Sequence, residues 1–465
     1  MTAMNNTYTG SIDLSWLEQY RHITVIGLGV SGMGVVKRLA KQGIQFHVQD
    51  SRENLEGVDQ LSDLECVRSV YIGKFDLESI LLSDLLIMSP GVSLQTPEIK
   101  QAVEAGIEIS SDVDIVTRSS RIPIIGVTGS NGKSTVTQLA GELCKAAGYK
   151  TFIGGNIGRS IMELLDDSHE YQLAVIELSS FQLEITPALN ALSATVLNLS
   201  PDHLDRYASY QDYAISKLAV YQNSKHCAWN RDDDWLQSVE LFAAKTANSE
   251  KIVSFGLQVP RDETEYGIVT EEGVSYFAKG KQKICSTQYC QLIGSHNHLN
   301  VLAALALLDS LAMESNIVES VLGQFHGLEH RMQKVRELSG VRWINDSKAT
   351  NVGAVKSALE GLQCSTVLIA GGQSKGGKFA ELLPLLKQYV KRVYVFGEDA
   401  KQIQAVWQHV VEVELVDSLE LAVQEANKIA VSGDTVLLAP ACASFDMFAG
   451  FAARGDRFVQ LVNAL

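Results

Sequence analysis

The residues with the plainest chemistry cluster around Lys133. In Ile122-Pro-Ile-Ile-Gly-Val-Thr-Gly-Ser-Asn-Gly-Lys-Ser-Thr135 an apolar run leads into a loop containing Gly126, Gly129 and Gly132. Lys133, Ser134 and Thr135 follow, and Val136, Leu139, Leu143 and Ala147 then recur at helical spacing up to Gly148. Strand, glycine loop, lysine, hydroxyl and helix in that order can hold a nucleoside triphosphate. Backbone N–H groups and the helix N-terminus surround phosphate oxygens, the lysine neutralises charge and the hydroxyl ligates Mg²⁺. The strict pattern G-x-x-x-x-G-K-[ST] asks for glycine where this chain has Val127. The alternative is a glycine-rich turn that binds nothing, and the agreement of loop, lysine and helix counts against it.

A second glycine signature lies upstream. Ile23-Thr-Val-Ile26 reads as a strand, Gly27-Leu-Gly-Val-Ser-Gly32 as a loop, and Val35, Val36 and Leu39 as one face of a helix running to Gly43. A second strand ends in Asp50, an acid at about the twenty-residue spacing of a dinucleotide fingerprint. NAD, a uridine diphosphate group and a bare βαβ turn all satisfy this pattern. The strand Leu85 to Met88 opens into Ser89-Pro-Gly91, another loop at a strand's carboxyl end, and Thr96-Pro97 reads as the start of a helix.

Isolated polar groups extend the list. Glu177 lies in the apolar strand Leu173 to Ser180, where a carboxylate is costly without a cation. It reads either as an Mg²⁺ partner of the phosphate loop or as half of a structural ion pair. The strand Ala194 to Ser200 opens into Pro201-Asp-His-Leu-Asp-Arg-Tyr207, which places His203 among charged groups. Lys217 sits in a helix around Tyr213 to Tyr221, and composition alone does not distinguish it from a solvated lysine. Asn297 and Asn300 lie one helical turn apart, facing a planar partner or capping a helix.

The elements that must position these groups alternate strand and helix, with short strands and turns between residues 250 and 295. A last α/β unit has strands at Val341 to Ile344, Thr366 to Ala370, Arg392 to Phe396 and Thr435 to Leu438. Its polar loops, Asn345 to Asn351, Gly371 to Lys375 and Pro440 to Met447, all follow strands and so collect at one sheet edge. The fold class is α/β in three domains. Residues 1–114 form a Rossmann-like N-terminal unit, 115–328 a central P-loop-type ATPase unit, and 329–465 a Rossmann-like C-terminal unit.

Composition agrees. A chain of 465 residues with 46% hydrophobic content suits several packed cores. A net charge of −15 argues against broad nucleic-acid binding, so basic residues in loops become informative. Seven scattered cysteines without a C-x-x-C pair read as free thiols in a reducing cytoplasm. No signal peptide is visible, and the most apolar stretch, Val301 to Met313, carries Asp309 and reads as a buried helix rather than a membrane span.

Together these motifs resemble the Mur ligases of bacterial cell-wall synthesis over nearly the whole chain, from Gly27 to Arg457. The family's T-G-[ST]-N-G-K-[ST] loop is matched by Thr128 to Ser134, including the departure at Val127. Asp202 to Arg206, His296 to Asn300 and Gly327 to Arg331 match as well. Asn345 to Asn351 and Ala441 to Asp446 resemble the D-glutamate-adding members in particular.

The resemblance implies ATP-driven amide formation between UDP-N-acetylmuramoyl-L-alanine and D-glutamate, by a cytoplasmic monomer that engages neither membrane nor nucleic acid. It implies that Gly29, Val30 and Ser31 face the diphosphate, that Asp50, Ser51 and Arg52 lie near the uracil with Ser89 and Gly91 close by, and that Asn156 and His203 meet the sugar–peptide portion. It places ATP on Thr128, Gly129, Ser130, Asn131, Gly132, Lys133, Ser134 and Thr135, with Asn297, Asn300, Arg331 and Asp346 around its adenosine and phosphates. Two Mg²⁺ ions fall to Ser134, Glu177, His203 and Lys217, the last carrying a CO₂-derived carbamate. Lys348, Thr350, Lys375, Ser444 and Phe451 form the amino-acid pocket. Lys133, His203, Lys217, Arg331 and Lys348 are the expected catalytic set, with the C-terminal unit closing over Lys133. Gln373 stands where an acid is expected, and Lys378 adds a positive charge nearby.

Overall fold

The computed structural model describes residues 12–55, 58, 61, 63–166, 170–203, 206–237, 246–292, 294–374 and 376–465. Lys375, Leu204, Asp205 and residues 1–11 lie outside the described residues.

The glycine signatures and apolar runs resolve into three sheets. The first is wholly parallel, in the order Val67–Ile72, Phe46–Asp50, Ile23–Ile26, Leu85–Met88, Glu108–Ser111. Chain order reverses between Ile23–Ile26 and Leu85–Met88. The first of these strands leaves through Gly27–Gly29 into the helix Val30–Lys41, shorter than the loop expected to Gly32, and with Ser89–Val92 this turn opens at the switch point where ligands of doubly wound sheets sit. Gly32 is dictated by space: a Cβ there would lie 1.8 Å from the Gly27 carbonyl oxygen.

The second sheet has nine strands. From one edge they run Gln282–Ser286, Val274–Lys279, Glu265–Glu271, Lys251–Phe255, His226–Asn230, Ser193–Val196, Ile124–Thr128, Leu173–Glu177, Thr151–Gly155. The first three are joined antiparallel and the rest are parallel. The hairpin between Glu265–Glu271 and Val274–Lys279 turns on Glu272 and Gly273, both at positive φ, as a two-residue primed turn requires. Ile124–Thr128 is central, flanked by Ser193–Val196 and Leu173–Glu177, so Glu177 and the segment after Val196 arrive beside the phosphate loop.

The third sheet runs Gln333–Leu338, Val341–Asn345, Thr435–Leu438, Thr366–Gly371, Val390–Phe396, Val413–Leu415, with only the first pair antiparallel. Its three polar loops share one edge, as their positions after strands predict.

Packing joins the units. One apolar cluster runs from Val25 and Phe46 of the first sheet and Leu39 of its helix Val30–Lys41 to Phe152, Ile176 and Val196 of the second, so these two sheets share a core. Helices Lys133–Ala146 and Ser295–Leu307 cover the other face of the second sheet through Val136, Leu139, Leu143, Val301, Leu302 and Leu305. Each fully buried Leu or Val of that kind contributes roughly 1.5–3 kcal/mol. Among the described residues no helix is long and apolar enough to cross a membrane.

Three local expectations change. The strand expected over Ala194 to Ser200 is Ser193–Val196, because Asn198 leaves the ladder to exchange hydrogen bonds with Asn131 across the loop. Thr96 precedes the helix Pro97–Glu104 without a side-chain capping bond. The helix carrying Lys217 is Tyr210–Leu218, followed by a short 3₁₀ turn.

Candidate active site

Lys133 opens the helix Lys133–Ala146, preceded by Gly132 at φ +82°. Its ammonium lies back over its own loop, donating to the carbonyls of Gly129 (2.9 Å) and Ser130 (3.0 Å). Burial lowers its pKa and Arg331 pushes the same way, against Glu177 and Asp202. Lys217, 2% exposed, donates from the opposite side to the same Gly129 carbonyl at 2.9 Å. Burial holds its amine well below the ordinary lysine range, and Lys133 adds to that depression while Asp202 and Glu177 oppose it. Two lysine nitrogens thus share one carbonyl at the mouth of the loop.

Ser134 is the junction. Its hydroxyl donates to Glu177 Oε2 at 2.5 Å and accepts from Arg331 Nη2 at 2.6 Å. Asn156 Nδ2 donates to the other Glu177 oxygen at 2.8 Å. Glu177, 2% exposed, is thus held by two neutral donors. Arg331 comes from the C-terminal unit, so that unit lies over the loop. Among the described residues no three His, Cys, Asp or Glu side chains gather as a metal cage. A divalent ion here fits a mixed set, with Glu177 and the Ser134 hydroxyl as hard oxygen donors. The His203 ring packs edge-on against Phe181 at 4.8 Å, with Nε2 3.7 Å from Asp202 Oδ2.

The rest of the loop divides by direction. Thr128 Oγ1 donates to the Leu178 carbonyl at 2.8 Å and is fully buried, rooting the loop. Ser130 Oγ bonds the Ser200 carbonyl (3.1 Å) and the Tyr213 hydroxyl (2.8 Å). Both side chains brace the loop rather than face outward. Asn131, Gly132 and Thr135 face a cavity of about 100 Å³ that also touches Asn297, Asn300, Arg331, Asp346 and Lys348. Asn300 Nδ2 donates to Asn297 Oδ1 at 3.0 Å, and Gly294 rather than either asparagine caps the helix. The two amides are therefore a linked pair on the cavity wall.

Asp346 accepts the Met332 N–H at 3.2 Å, and burial pushes its pKa up to about 7 against the pull of that N–H and of Arg331. A folded-state pKa above the unfolded value means the folded chain holds the extra proton. That contribution to stability is complete below the model-compound value of 3.8 and is lost as pH rises through about 7. Asp346→Asn removes the titration. Melting curves at pH 5 and pH 8 are expected to show the variant gaining on the wild type as pH rises, and parallel pH dependence would contradict this.

At the first switch point, Asp50 Oδ2 accepts the Leu28 N–H at 2.7 Å while both its oxygens hold the Arg52 guanidinium. Ser31 faces the buried Asp112, whose pKa is raised by burial. Val30 is 83% exposed at the start of the helix Val30–Lys41, and Ser51 and Gly91 are also exposed. The packing at Gly27 brings Ser89 against this loop.

In the C-terminal unit the Lys348 ammonium lies 3.9 Å from the Phe451 ring centroid, and the Thr350 N–H donates to the Lys348 carbonyl at 2.7 Å. Ser444 is buried in the loop after Thr435–Leu438. The residue that organises this edge is one that sequence reasoning missed. Arg454 is fully buried and donates to Ser347 Oγ and to the carbonyls of Ser347, Gly371, Cys442 and Ala443, drawing all three polar loops together. Burial lowers its pKa to about 10. Arg454→Ala strands several buried acceptors and is expected to cost about 3 kcal/mol or more in a urea titration. A loss below about 1 kcal/mol would show the loops to be held otherwise.

A phosphate loop flanked by two Rossmann-like units, with basic residues of the third unit reaching the loop, defines a nucleotide-using enzyme of three-unit α/β type. The sequence matches the family descriptions "Mur ligase MurD-like, N-terminal domain" over residues 21–111, "Mur ligase middle domain" over 127–308 and "Mur ligase, glutamate ligase domain" over 330–442. This chain belongs to the Mur ligase family. It is 40% identical to a UDP-N-acetylmuramoylalanine--D-glutamate ligase of Pseudoalteromonas translucida, over 96% of this chain and 97% of the relative. It is 42% identical to the protein of that name from Hahella chejuensis, over 97% and 100%. Among solved structures it is similar in fold to MurF of Acinetobacter baumannii (TM-score 0.59, 14% identity, 95% of this chain and 93% of that one). It is likewise similar to MurF of Thermotoga maritima in complex with ADP (TM-score 0.57, 16% identity, 99% of each).

Proposed function

We propose that this chain joins D-glutamate to UDP-N-acetylmuramoyl-L-alanine at the expense of ATP, in peptidoglycan precursor synthesis. The observation that carries the reading is the convergence of Lys133, Ser134, Glu177 and Lys217 with Arg331 of the C-terminal unit. It is supported by relatives of that name that match nearly end to end. Residues 1–114 hold the UDP moiety, 115–328 hold ATP, and 329–465 bring the amino acid. Every group comes from one chain, so a monomer suffices, and UDP-linked and nucleotide substrates suit a cytoplasmic site.

In this reading the triphosphate lies along Gly129 to Ser134, with Lys133 and Arg331 neutralising its charge. The adenosine occupies the cavity between Asn297, Asn300 and Asp346. Glu177, the Ser134 hydroxyl, His203 and a carbamate on Lys217 would hold Mg²⁺, which would supply charge neutralisation between the phosphoryl group and the acid. The γ-phosphoryl group passes to the L-alanyl carboxylate, ADP departs, and an acyl phosphate results. Lys348, Thr350, Lys375, Ser444 and Phe451 form the D-glutamate pocket, with the lysines meeting its two carboxylates. The amine attacks the acyl carbon and the C–O bond to phosphate breaks. The ammonium proton leaves to His203 or to a substrate oxygen. The protein's main contribution is placement and charge.

The test is acceptor-dependent phosphate release. Release is expected only when UDP-N-acetylmuramoyl-L-alanine and D-glutamate are both present, with L-glutamate ineffective. ATP hydrolysis indifferent to both, or preference for L-glutamate, would overturn the reading. Tight NADH binding with no affinity for the UDP-linked acid would overturn it from the other side.

A further inference from the structure

The proposed reaction needs two loops on different sheets to be held in register. The UDP-linked acid is received at Gly27–Gly32 and Ser89–Val92 of the first sheet, and the phosphoryl group at Lys133 of the second. Arg206 ties the Ser89–Val92 loop to the segment that carries His203. Arg206 belongs to the segment after Ser193–Val196 and is 12% exposed. Its Nη1 donates to the Pro90 carbonyl at 2.7 Å, and its Nη2 donates to the Val92 carbonyl at 3.2 Å and to Glu184 Oε2 at 3.2 Å. The guanidinium carbon stands 4.0 Å from the Phe181 ring centroid. Phe181 is also the ring against which His203 packs, and it stacks with Tyr207 at 6.1 Å. The Arg206 N–H donates to the His203 carbonyl at 3.0 Å.

On the far side, the Ser89 N–H donates to the Ile26 carbonyl at 2.8 Å, and the Val92 N–H to the Ser89 carbonyl at 3.0 Å. A Cβ at Gly27 would lie 2.9 Å from both Ser89 and Val92 side-chain atoms. An unbroken series of contacts therefore runs from the glycine loop, through the Ser89–Val92 carbonyls and Arg206, to His203.

We propose that Arg206 is a positioning residue that sets where the acid-bearing end of the UDP-linked substrate stands relative to the phosphoryl donor. This rests on the ligase reading above. The geometry calls for arginine: a planar fork meets two carbonyls and a carboxylate while its face lies on a ring, which a lysine ammonium cannot do at once. The role is separable from holding the sheets together. The Arg38–Asp166 ion pair (2.7 Å), the Ser111–Thr186 hydroxyl pair (2.9 Å) and the shared apolar core all remain without Arg206.

Steady-state phosphate release by the full chain, varying the UDP-linked acid and ATP separately, tests it. Arg206→Ala is expected to raise KM for the UDP-linked acid and to lower kcat, each by about tenfold or more, because misplacement by about an ångström is enough. KM for ATP should stay within about twofold, since no part of the phosphate loop touches Arg206. Added guanidinium ion at millimolar level should restore part of the loss where sodium at equal ionic strength does not, and Arg206→Lys should not restore it. Phe181→Leu, which removes the stacking surface, should show the same split between the two KM values if Arg206→Ala folds poorly. Wild-type constants in Arg206→Ala, or equal damage to both KM values without guanidinium rescue, overturn the inference alone. A wild-type chain that releases no phosphate with the UDP-linked acid overturns the ligase reading and the inference with it.

Discussion

Lys133→Ala is expected to lower turnover by about 10²–10³-fold or more, the loss that follows removal of one preorganised charge-stabilising group. The argument is local. Among the described residues Lys133 donates only to carbonyls of its own loop, Gly129 and Ser130, and the Gly129 carbonyl keeps Lys217 as a second donor. The loop is also held from outside the lysine, by Thr128 to Leu178, Ser130 to Tyr213 and Asn131 to Asn198. Truncation therefore leaves the backbone cradle in place and removes a buried positive charge. Phosphate release with both substrates should collapse while the melting temperature moves by no more than a few degrees. Undiminished turnover would remove Lys133 from the mechanism. Collapse together with a large fall in melting temperature would mean that the lysine is structural.

What could be read in the sequence follows the range of the interactions. The phosphate loop was legible because strand, glycines, lysine and helix are contiguous, and backbone geometry supplies most of the site. Glu177 was legible as an anomaly, a carboxylate in an apolar strand, and the structure gives it two neutral donors, Ser134 and Asn156. Lys217 was not legible from its own surroundings. Its meaning lies in the Gly129 carbonyl, 88 residues away in the chain, and only family resemblance drew attention to it. Tyr213, whose hydroxyl braces Ser130, was passed over for the same reason. Arg454 carried no signal at all. An arginine in the helix Phe451–Asn463 reads as solvated, and nothing nearby in sequence announces that four carbonyls and a hydroxyl will surround it. Arg206 stood in a recognised motif, yet its acceptors at Pro90 and Val92 become neighbours only when two sheets pack together.

Lys217→Ala is the second large effect, and its expected signature is loss with rescue. A fully buried lysine facing another lysine is a poor cation. Burial and Lys133 both drive its amine toward the neutral form. A neutral amine can add to CO₂. The nitrogen lone pair bonds to carbon, a proton is released, and the side chain ends in a carboxylate-like anion. That exchange would reverse the local electrostatics: repulsion from Lys133 would become attraction, and two oxygens would be offered to the divalent ion proposed beside Glu177. Removing the side chain should lower turnover by about 10²–10³-fold, as for other groups that set charge at a reacting centre. Stability should hold or rise slightly, because a desolvated amine with one carbonyl partner gives the fold little. Truncation to Ala removes the side chain beyond Cβ and leaves the Gly129 carbonyl without that donor, so a short carboxylic acid is the probe of the missing anion. Acetate or propionate should restore part of the activity, and chloride at equal ionic strength should not. Carbon-13 bicarbonate should give a carbamate resonance in the wild type that is missing from the variant. Full activity in Lys217→Ala, or rescue by any anion alike, would show that the lysine acts through something other than a carbamate.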